Sequence, residues 1–566
     1  MARVTVSVLR SGMCAFLRRY LAGVATVVRT PAAAVLAGVL VLSAGAAARP
    51  LRSVVILGTA AESVPGGWTG PAADGVDTSR VASLDRAEIE AVLEPFVGQE
   101  ISQDLAGSVR RALQAWYGDT NHPFTTVLLP AQDARSGVLQ VVVMEARLGE
   151  IQVQGNTWFD DGQYRNAFTM RPGDPIDTIP INEAVQRIGR NQYRRASVLA
   201  TAGQTPGTTD LIVQANDRLP LTLSVGFDNT GTNATSLYRW GVGLNWGNAL
   251  WRGDDFNYRF TASPDARQLR QHGVSYTTAL PWGDSLILSG YFATTESTPL
   301  TSFAATGESL SLSLRYSIPL PMVAGITHHL DLGADYRSTN NDLLTGGASV
   351  FGTTSVIGQF VAEYGGQLAD QWGTTGAAIA LVGSPGNLAR NNTDAAFNVQ
   401  QPGATANYVY VRAVVERVTP LPRDFAWSAM LTGQYSDAIL LPSEQLAFSG
   451  VQSIRGFVEQ GVLRDNGLLL RNELRGTPMA TGLGRLVGAG EDIVVPFLFM
   501  DAGFGRNHHD IPGTRDSWVT VVSAGPGVTW RISESTALRF TWGFPLVRFG
   551  QTGPLLGPQF GTQVAF

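Results

Sequence analysis

The spacing of apolar residues changes once along this chain, near Asp217. Before that point, short apolar runs alternate with stripes at three- and four-residue spacing. Ser53 to Gly58 (SVVILG) reads as a strand. Asp85 can cap a helix whose third position is Glu88, with Ile89, Val92 and Leu93 on one stripe. Ser102 can cap a second helix, with Leu105, Val109, Leu113 and Trp116 on one face. A strand follows at Leu139–Met144, and then the pattern restarts. Ile151–Gln154 reads as a strand, Ile181–Tyr193 as a helix with Ile181, Val185 and Ile188 aligned, and Leu211–Gln214 as a strand. This predicts two α+β units of roughly 70 to 95 residues each. The Gly/Pro/Ala-rich insert AAESVPGGWTGPAADGVD (60–77) reads as a loop.

After Asp217 the helical period is gone. Leu221, Leu223, Val225 and Phe227 alternate with Thr222, Ser224 and Gly226, and Phe256, Tyr258 and Phe260 alternate with Asn257, Arg259 and Thr261. The same alternation returns at Leu310–Tyr316 and at Leu538–Phe544. Period two with one apolar and one polar face is a half-buried strand. A soluble sandwich and a membrane barrel share this pattern, so composition has to separate them.

Charged residues are 15% of the 566 and Gly numbers 63, against usual shares of about 25% and about 7%. The first residues carry Arg18, Arg19 and Arg29, an apolar run from Pro31 to Leu42, and Ala44-Gly45-Ala46-Ala47-Ala48. That order reads as a secretory signal peptide, 1–48, cut after Ala46 or Ala48. Its loss removes Cys14 and five arginines with no acid, taking the net charge from −5 to about −10. The mature chain then has no thiol, and a nucleic-acid partner is disfavoured.

An exported, charge-poor chain with no apolar run of membrane-spanning length, and no helical layer after residue 217, fits a closed barrel in lipid. Only helices and closed barrels satisfy their backbone groups in hydrocarbon. At roughly 22 residues per strand and connection, about 16 antiparallel strands fit 218–566. Phe560, Thr562, Val564 and Phe566 share one face of a last strand, similar to the terminal aromatic signal of outer-membrane barrels, with Phe566 closing it.

The run Ser453-Ile454-Arg455-Gly456-Phe457 poses a problem, because Arg455 has no Asp or Glu within three residues. A buried, unpaired ion costs several kcal/mol or more, so it faces water or finds a partner elsewhere. SIRGF is similar to the lumen-loop tip of outer-membrane POTRA (polypeptide-transport-associated) barrels. Phe499-Met500-Asp501-Ala502-Gly503 is similar to their F-x-D-x-G strand. Upstream, Pro130, Gln132, Asp133 and Gly137, followed by VLQVVVMEARLGEIQVQGN, resemble the junction between two POTRA domains in two-partner secretion transporters of the haemolysin activation/secretion type. There the family usually has Gly after the Glu, where Ala146 stands here. Asp228-Asn229-Thr230-Gly231, Gly253-Asp254 and Arg471-Asn472-Glu473-Leu474 resemble further family motifs.

The resemblance implies α+β POTRA domains ahead of an all-β transmembrane barrel. Their bounds would be 49–147 with the Gly/Pro-rich insert, 148–217, and 218–566 with a lumen loop around 448–467. It implies that Arg455 meets Asp501 across the lumen, flanked by Phe499 and Gly503, with Gly456 turning the backbone and Ile454 and Phe457 packing on the inner wall. The protein would sit in the outer membrane with its POTRA domains in the periplasm, inserted by the barrel-assembly machinery. There it would export an unfolded haemolysin- or adhesin-like exoprotein. Client docking is expected on the second POTRA domain at Gln152 and Asn156, and on a helix carrying Arg187, Arg190, Arg194 and Arg195. No room is evident for a plug helix ahead of the first strand. The alternative within the superfamily is a barrel-assembly factor, which usually carries three to five POTRA units.

No cofactor, metal or catalysis is expected. The chain lacks G-x-S-x-G, H-E-x-x-H and the phosphate loop GxxxxGK[ST]. His328-His329 and His508-His509, if in strands, point to opposite faces and cannot share a metal.

Overall fold

The computed structural model describes residues 49–565 except 82–85, 121, 206, 233–234, 298–302, 346–347, 460, 487–490, 510–517, 534–535 and 550–558. The expected signal peptide, Cys14, the Asp85 cap and Phe566 lie outside the described residues. The chain divides into two units between Leu219 and Pro220.

The first unit holds two small sheets. In the first, β1 (Ser53–Leu57) lies between β2 (Gly75–Asp77) and β4 (Val138–Met144), parallel to both, and β3 (Thr126–Leu128) pairs antiparallel with β4. Helices α1 (Arg86–Leu93) and α2 (Gln103–Asp119) cover one face. Ser102 caps α2 by accepting from the Leu105 amide at 3.0 Å. Leu105, Val109 and Leu113, together with Ile89 and Leu93 of α1, pack on Val54, Ile56, Leu139 and Val141.

The insert 60–77 corrects the loop expected there. It contributes edge strand β2 and carries Trp68 onto the other face, against Val55, Leu57, Val138 and Val142. This explains why β1 reads as a continuous apolar run, since both faces are covered. Side-chain amides fasten the insert. Gln132 clamps both main-chain groups of Gln140 at 2.7 Å each, and the Gln140 amide clamps both main-chain groups of Val64 at 2.8 and 2.9 Å.

The second sheet has order β5-β7-β6, from Arg147–Gln154, Thr208–Asp217 and Arg194–Ala202, with β5 parallel and β6 antiparallel to β7. Short helix α3 (Asp161–Arg165) and helix α4 (Thr178–Gly189) supply Tyr164, Ile181, Ala184 and Ile188 to its core. Helix α4 ends at Gly189, not at Tyr193 as the apolar spacing suggests. The chain turns there, and Arg194 and Arg195 open strand β6, which the sequence pattern missed.

The second unit is a closed antiparallel barrel, of 16 strands among the described residues once two in-line segments, Thr536–Thr541 and Phe544–Val547, are taken as one. The unbroken strand expected over Leu538–Phe544 is thus interrupted at Trp542 and Gly543. Strand Gln559–Ala565 pairs with Leu221–Asp228 to close the ring. Outward positions are large and apolar, among them Leu312, Tyr364, Leu381, Trp427, Leu498 and Met500, all exposed. A closed ladder with such a band is the structure that hydrocarbon permits.

Gln132→Ala should loosen the insert, because it leaves two buried main-chain groups unpaired at about 1–3 kcal/mol each. Limited proteolysis of the full-length protein should then cut within 60–77 at least tenfold faster than in the native chain. Unchanged cutting would show that the clamp does not hold the insert.

Candidate functional site

The barrel lumen is occupied by the connection between strands Ala426–Ser436 and Asn466–Arg475, so the loop runs over 437–465, wider than the expected 448–467. Its side of the wall follows from alternation. On strands Asn466–Arg475 and Ile493–Arg506, Leu468, Leu470, Leu474, Leu498 and Met500 are exposed, while Leu469, Glu473, Phe499 and Asp501 are buried. The loop lies on the buried set.

Its tip carries Arg455, 2% exposed as a side chain. The guanidinium forks onto Asp501 through Nε and Nη2, both at 2.7 Å, and the Arg455 amide donates to the same carboxylate at 3.2 Å. Nη1 donates to Glu473 at 2.8 Å, and the guanidinium stacks 3.9 Å from the Phe499 ring centre. Such charge-assisted, bidentate bonds fix orientation as well as position. Arg475 and Arg539 also donate to Glu473, at 2.9 and 2.6 Å. Arg471 ties the loop backbone at Gln452 and Val451, at 3.0 and 3.2 Å.

Ile454 and Phe457 are fully buried with Phe448, Leu469 and Val521. Gly456 has φ +87°, and a Cβ there would stand 2.8 Å from the Gly543 carbonyl carbon, while one on Gly543 would stand 2.5 Å from the Gly456 Cα. The break in the barrel strand is where the loop tip touches the wall, and neither glycine has room for a side chain. Ser453 turns the chain, its amide donating to Gly450 at 3.1 Å.

Glu473, Arg539 and Arg471 were missed as members of the site. A signal existed. In RNELR, Arg471, Glu473 and Arg475 recur at period two, and the register sets Arg471 opposite Asp501 and Glu473 opposite Phe499.

The junction residues are structural. Gln132 holds Gln140, Asp133 accepts from the Arg135 amide at 3.0 Å, and Gly137 turns at φ +82° while accepting from the Arg52 amide at 2.7 Å. The Pro130 carbonyl accepts from Gln132 at 3.3 Å.

The expected docking set is not one surface. The Asn156 amide is turned inward to Phe159 and Asp161, at 2.9 and 3.0 Å. Arg187 donates to the Ala167 carbonyl at 2.8 Å. Arg194 lies over the rings of Phe159 and Tyr164 and donates to Ile188 and Gln163, both at 3.2 Å. Burial pulls its pKa below the usual value, against the upward pull of Tyr164 and Asp217. These arginines satisfy carbonyls around the end of α3, at Gln163 and Ala167, and in the last turn of α4, at Ile188. Gln152 is half-buried on β5, while Arg190 and Arg195 are exposed.

The histidine pairs differ from each other. His508 and His509 follow the end of a strand and meet edge to face with ring centres 4.3 Å apart, so the opposite-face argument does not apply to them. His329 lies with Asp331 and Glu363 so that three ligand atoms fall within 4.8 Å of one another, the group among the described residues best able to hold a metal. All three are exposed or half-buried, the ordinary state of polar side chains on a wet wall.

Arg455→Ala strands Asp501 in the wall, at a cost of about 3–5 kcal/mol before screening by lumen water. We expect it, and Arg455→Lys, which loses the fork, to reach the outer membrane as a heat-modifiable barrel yet release little or no client into the medium. Gly543→Ala should give the same phenotype by clash at the same contact. Normal secretion by Arg455→Ala would remove the tip ion pair from the mechanism.

The haemolysin secretion/activation protein model (ShlB/FhaC/HecB) matches residues 207–529, and a ShlB-type POTRA domain model matches 72–146. The haem/hemopexin transporter protein HuxB of Haemophilus influenzae is 22% identical over 490 residues, 81% of this chain and 80% of its own length. The outer membrane transporter CdiB-2 of Burkholderia pseudomallei is 24% identical, over 74% and 72% of the two chains. Among solved structures, CdiB from Escherichia coli superimposes with TM-score 0.73 at 20% identity, with both chains fully covered. BamA from Haemophilus ducreyi, lacking POTRA domains 1–3, gives 0.52 at 15% identity, over 85% of this chain and 97% of its own. With its barrel, its POTRA fold and the ion pair at the loop tip accounted for, this chain belongs to the ShlB/FhaC/HecB family of outer-membrane two-partner secretion transporters.

Proposed function

We propose that this transporter serves one large exoprotein, which it takes up unfolded from the periplasm and passes through the barrel to the cell surface. The observation that carries the reading is a lumen filled by a loop whose tip is held by a buried ion pair. A passive pore leaves the two α+β units unexplained. With no phosphate-binding loop in the sequence, the driving force is the folding of the client outside. Catalysis has no part in this reading, since the buried carboxylate Asp501 is held by Arg455.

Docking falls to the second α+β unit, read as a second POTRA domain at 148–217. The first sheet is covered on both faces, whereas β5 and β6 each have a single buried residue, Leu148 and Val198, and each pairs with β7 alone in the described sheet. An extended client segment adds to such an edge through main-chain bonds. Gln152 on β5 and the exposed Arg190 and Arg195 lie in this unit, and their charge suits an acidic segment. Residues 1–48 act as the removable leader, and insertion of the barrel uses the cell's barrel-assembly machinery. Similarity to the haem/hemopexin transporter protein HuxB and the outer membrane transporter CdiB-2 supports a secreted client.

The test is a mass-spectrometric comparison of culture medium and outer membrane from cells with and without the gene. Loss of one large exported protein, with other barrels unchanged, is the expected result. A broad fall in many outer-membrane barrels would instead make this chain an assembly factor.

A further inference from the structure

The loop does not touch the wall at its tip alone. Glu444, on its first arm, is 1% exposed. A carboxylate so buried is stable only when paired and hydrogen-bonded. Its partners lie on strands distant in sequence from those that receive Arg455. Arg337, on strand Ile326–Thr345, donates to one oxygen, and Tyr410 and Gln359 donate to the other at 2.9 and 3.3 Å. The Glu444 carbonyl accepts from Arg412 and Gln434 at 3.0 and 3.1 Å.

The wall is built to receive this group. Asp335 is neutralised by Arg315 at 2.7 Å, which leaves Arg337 with Asp335 only at 3.8 Å and with Glu444 as its close anion. Gln359 bridges the two carboxylates, donating to Asp335 at 3.1 Å, and its own oxygen accepts from Tyr408 at 2.7 Å. With the arm undocked, Arg337 has no close anion. The apolar contacts divide in the same way. Leu440 and Leu441 belong to a cluster with Ile357, Val361 and Tyr408, separate from the cluster around Ile454 and Phe457.

We infer that the lumen loop is latched twice, and that Glu444 is a positioning residue that holds the first arm to strands Ile326–Thr345, Ala348–Asp370 and Asn407–Pro420 independently of Arg455. The inference rests on reading the loop as the obstruction of a channel. Asp465, fully buried at the far stem, joins the arms by accepting from the Leu440 amide, the Gln445 side chain and the His508 amide at 2.8, 2.9 and 2.9 Å. The arm between the latches is thus braced when both are closed.

The test uses purified full-length protein in planar lipid bilayers. Glu444→Gln keeps size and its acceptor for Tyr410 but loses the charge opposite Arg337, and Arg337→Gln removes the other half. Each should raise the fraction of time spent in large-conductance states severalfold. The double variant should rise no further than the larger single one, because a broken pair cannot be broken twice. Glu444→Gln should still secrete, unlike Arg455→Ala. Native conductance in Glu444→Gln with a normal heat-modifiable band, or additive effects in the double variant, would overturn the second latch. If Glu444→Gln fails to accumulate, native conductance in Arg337→Gln alone does so. Conductance needs no client, so failure of the latch and failure of the export reading are read separately.

Discussion

A guanidinium at the tip of a glycine-flanked loop cannot be buried without anions, and its own segment supplies none close by. That constraint organises the lumen. Arg455 obtains Asp501 from 46 residues downstream and Glu473 from 18, each on a different strand. Both carboxylates face inward only because the strands alternate strictly and pair in one register. A slip of one residue would send Asp501 to the lipid side and Met500 into the lumen. The ion pair therefore tests the register of the barrel, as well as holding the loop.

The choice of an ion pair over an apolar plug has a dynamic consequence. Replacing a buried ion pair with packed apolar groups is often neutral or stabilising, so such a pair is weak evidence for stability as such. What it offers is an exchange that water can complete. Once the tip moves, guanidinium and carboxylates are hydrated in a polar lumen and the charge penalty falls away. An apolar tip leaving the same seat would expose its whole contact area. The apolar clusters under Phe448 and Leu440 add grip, while the charged groups decide where the loop sits.

The periplasmic unit divides its sheets by burial. In the first, a Gly/Pro-rich insert covers the face opposite the helices and is fastened by reciprocal amide pairs of Gln132 and Gln140. In the second sheet, Arg194 serves the fold by donating to the Ile188 and Gln163 carbonyls and lying over Phe159 and Tyr164. Basic side chains grouped in sequence are thus divided, Arg187 and Arg194 turned to backbone carbonyls and Arg190 and Arg195 exposed.

The sequence by itself determined the change of period at Asp217, the helix cap at Ser102, the approximate strand number and the two motifs around Arg455 and Asp501. These are local, because periodicity, capping and turn chemistry act over a few residues. Tertiary structure decided what depends on partners far apart in the chain. It placed Glu473 and Arg539 around the loop tip and Arg337 against Glu444 of the loop's first arm, broke a regular strand at Gly543 where Gly456 presses on it, and folded an apparent loop into a sheet cover. Pairing between strands is set by closure of the whole barrel, a global condition that no short window of sequence expresses.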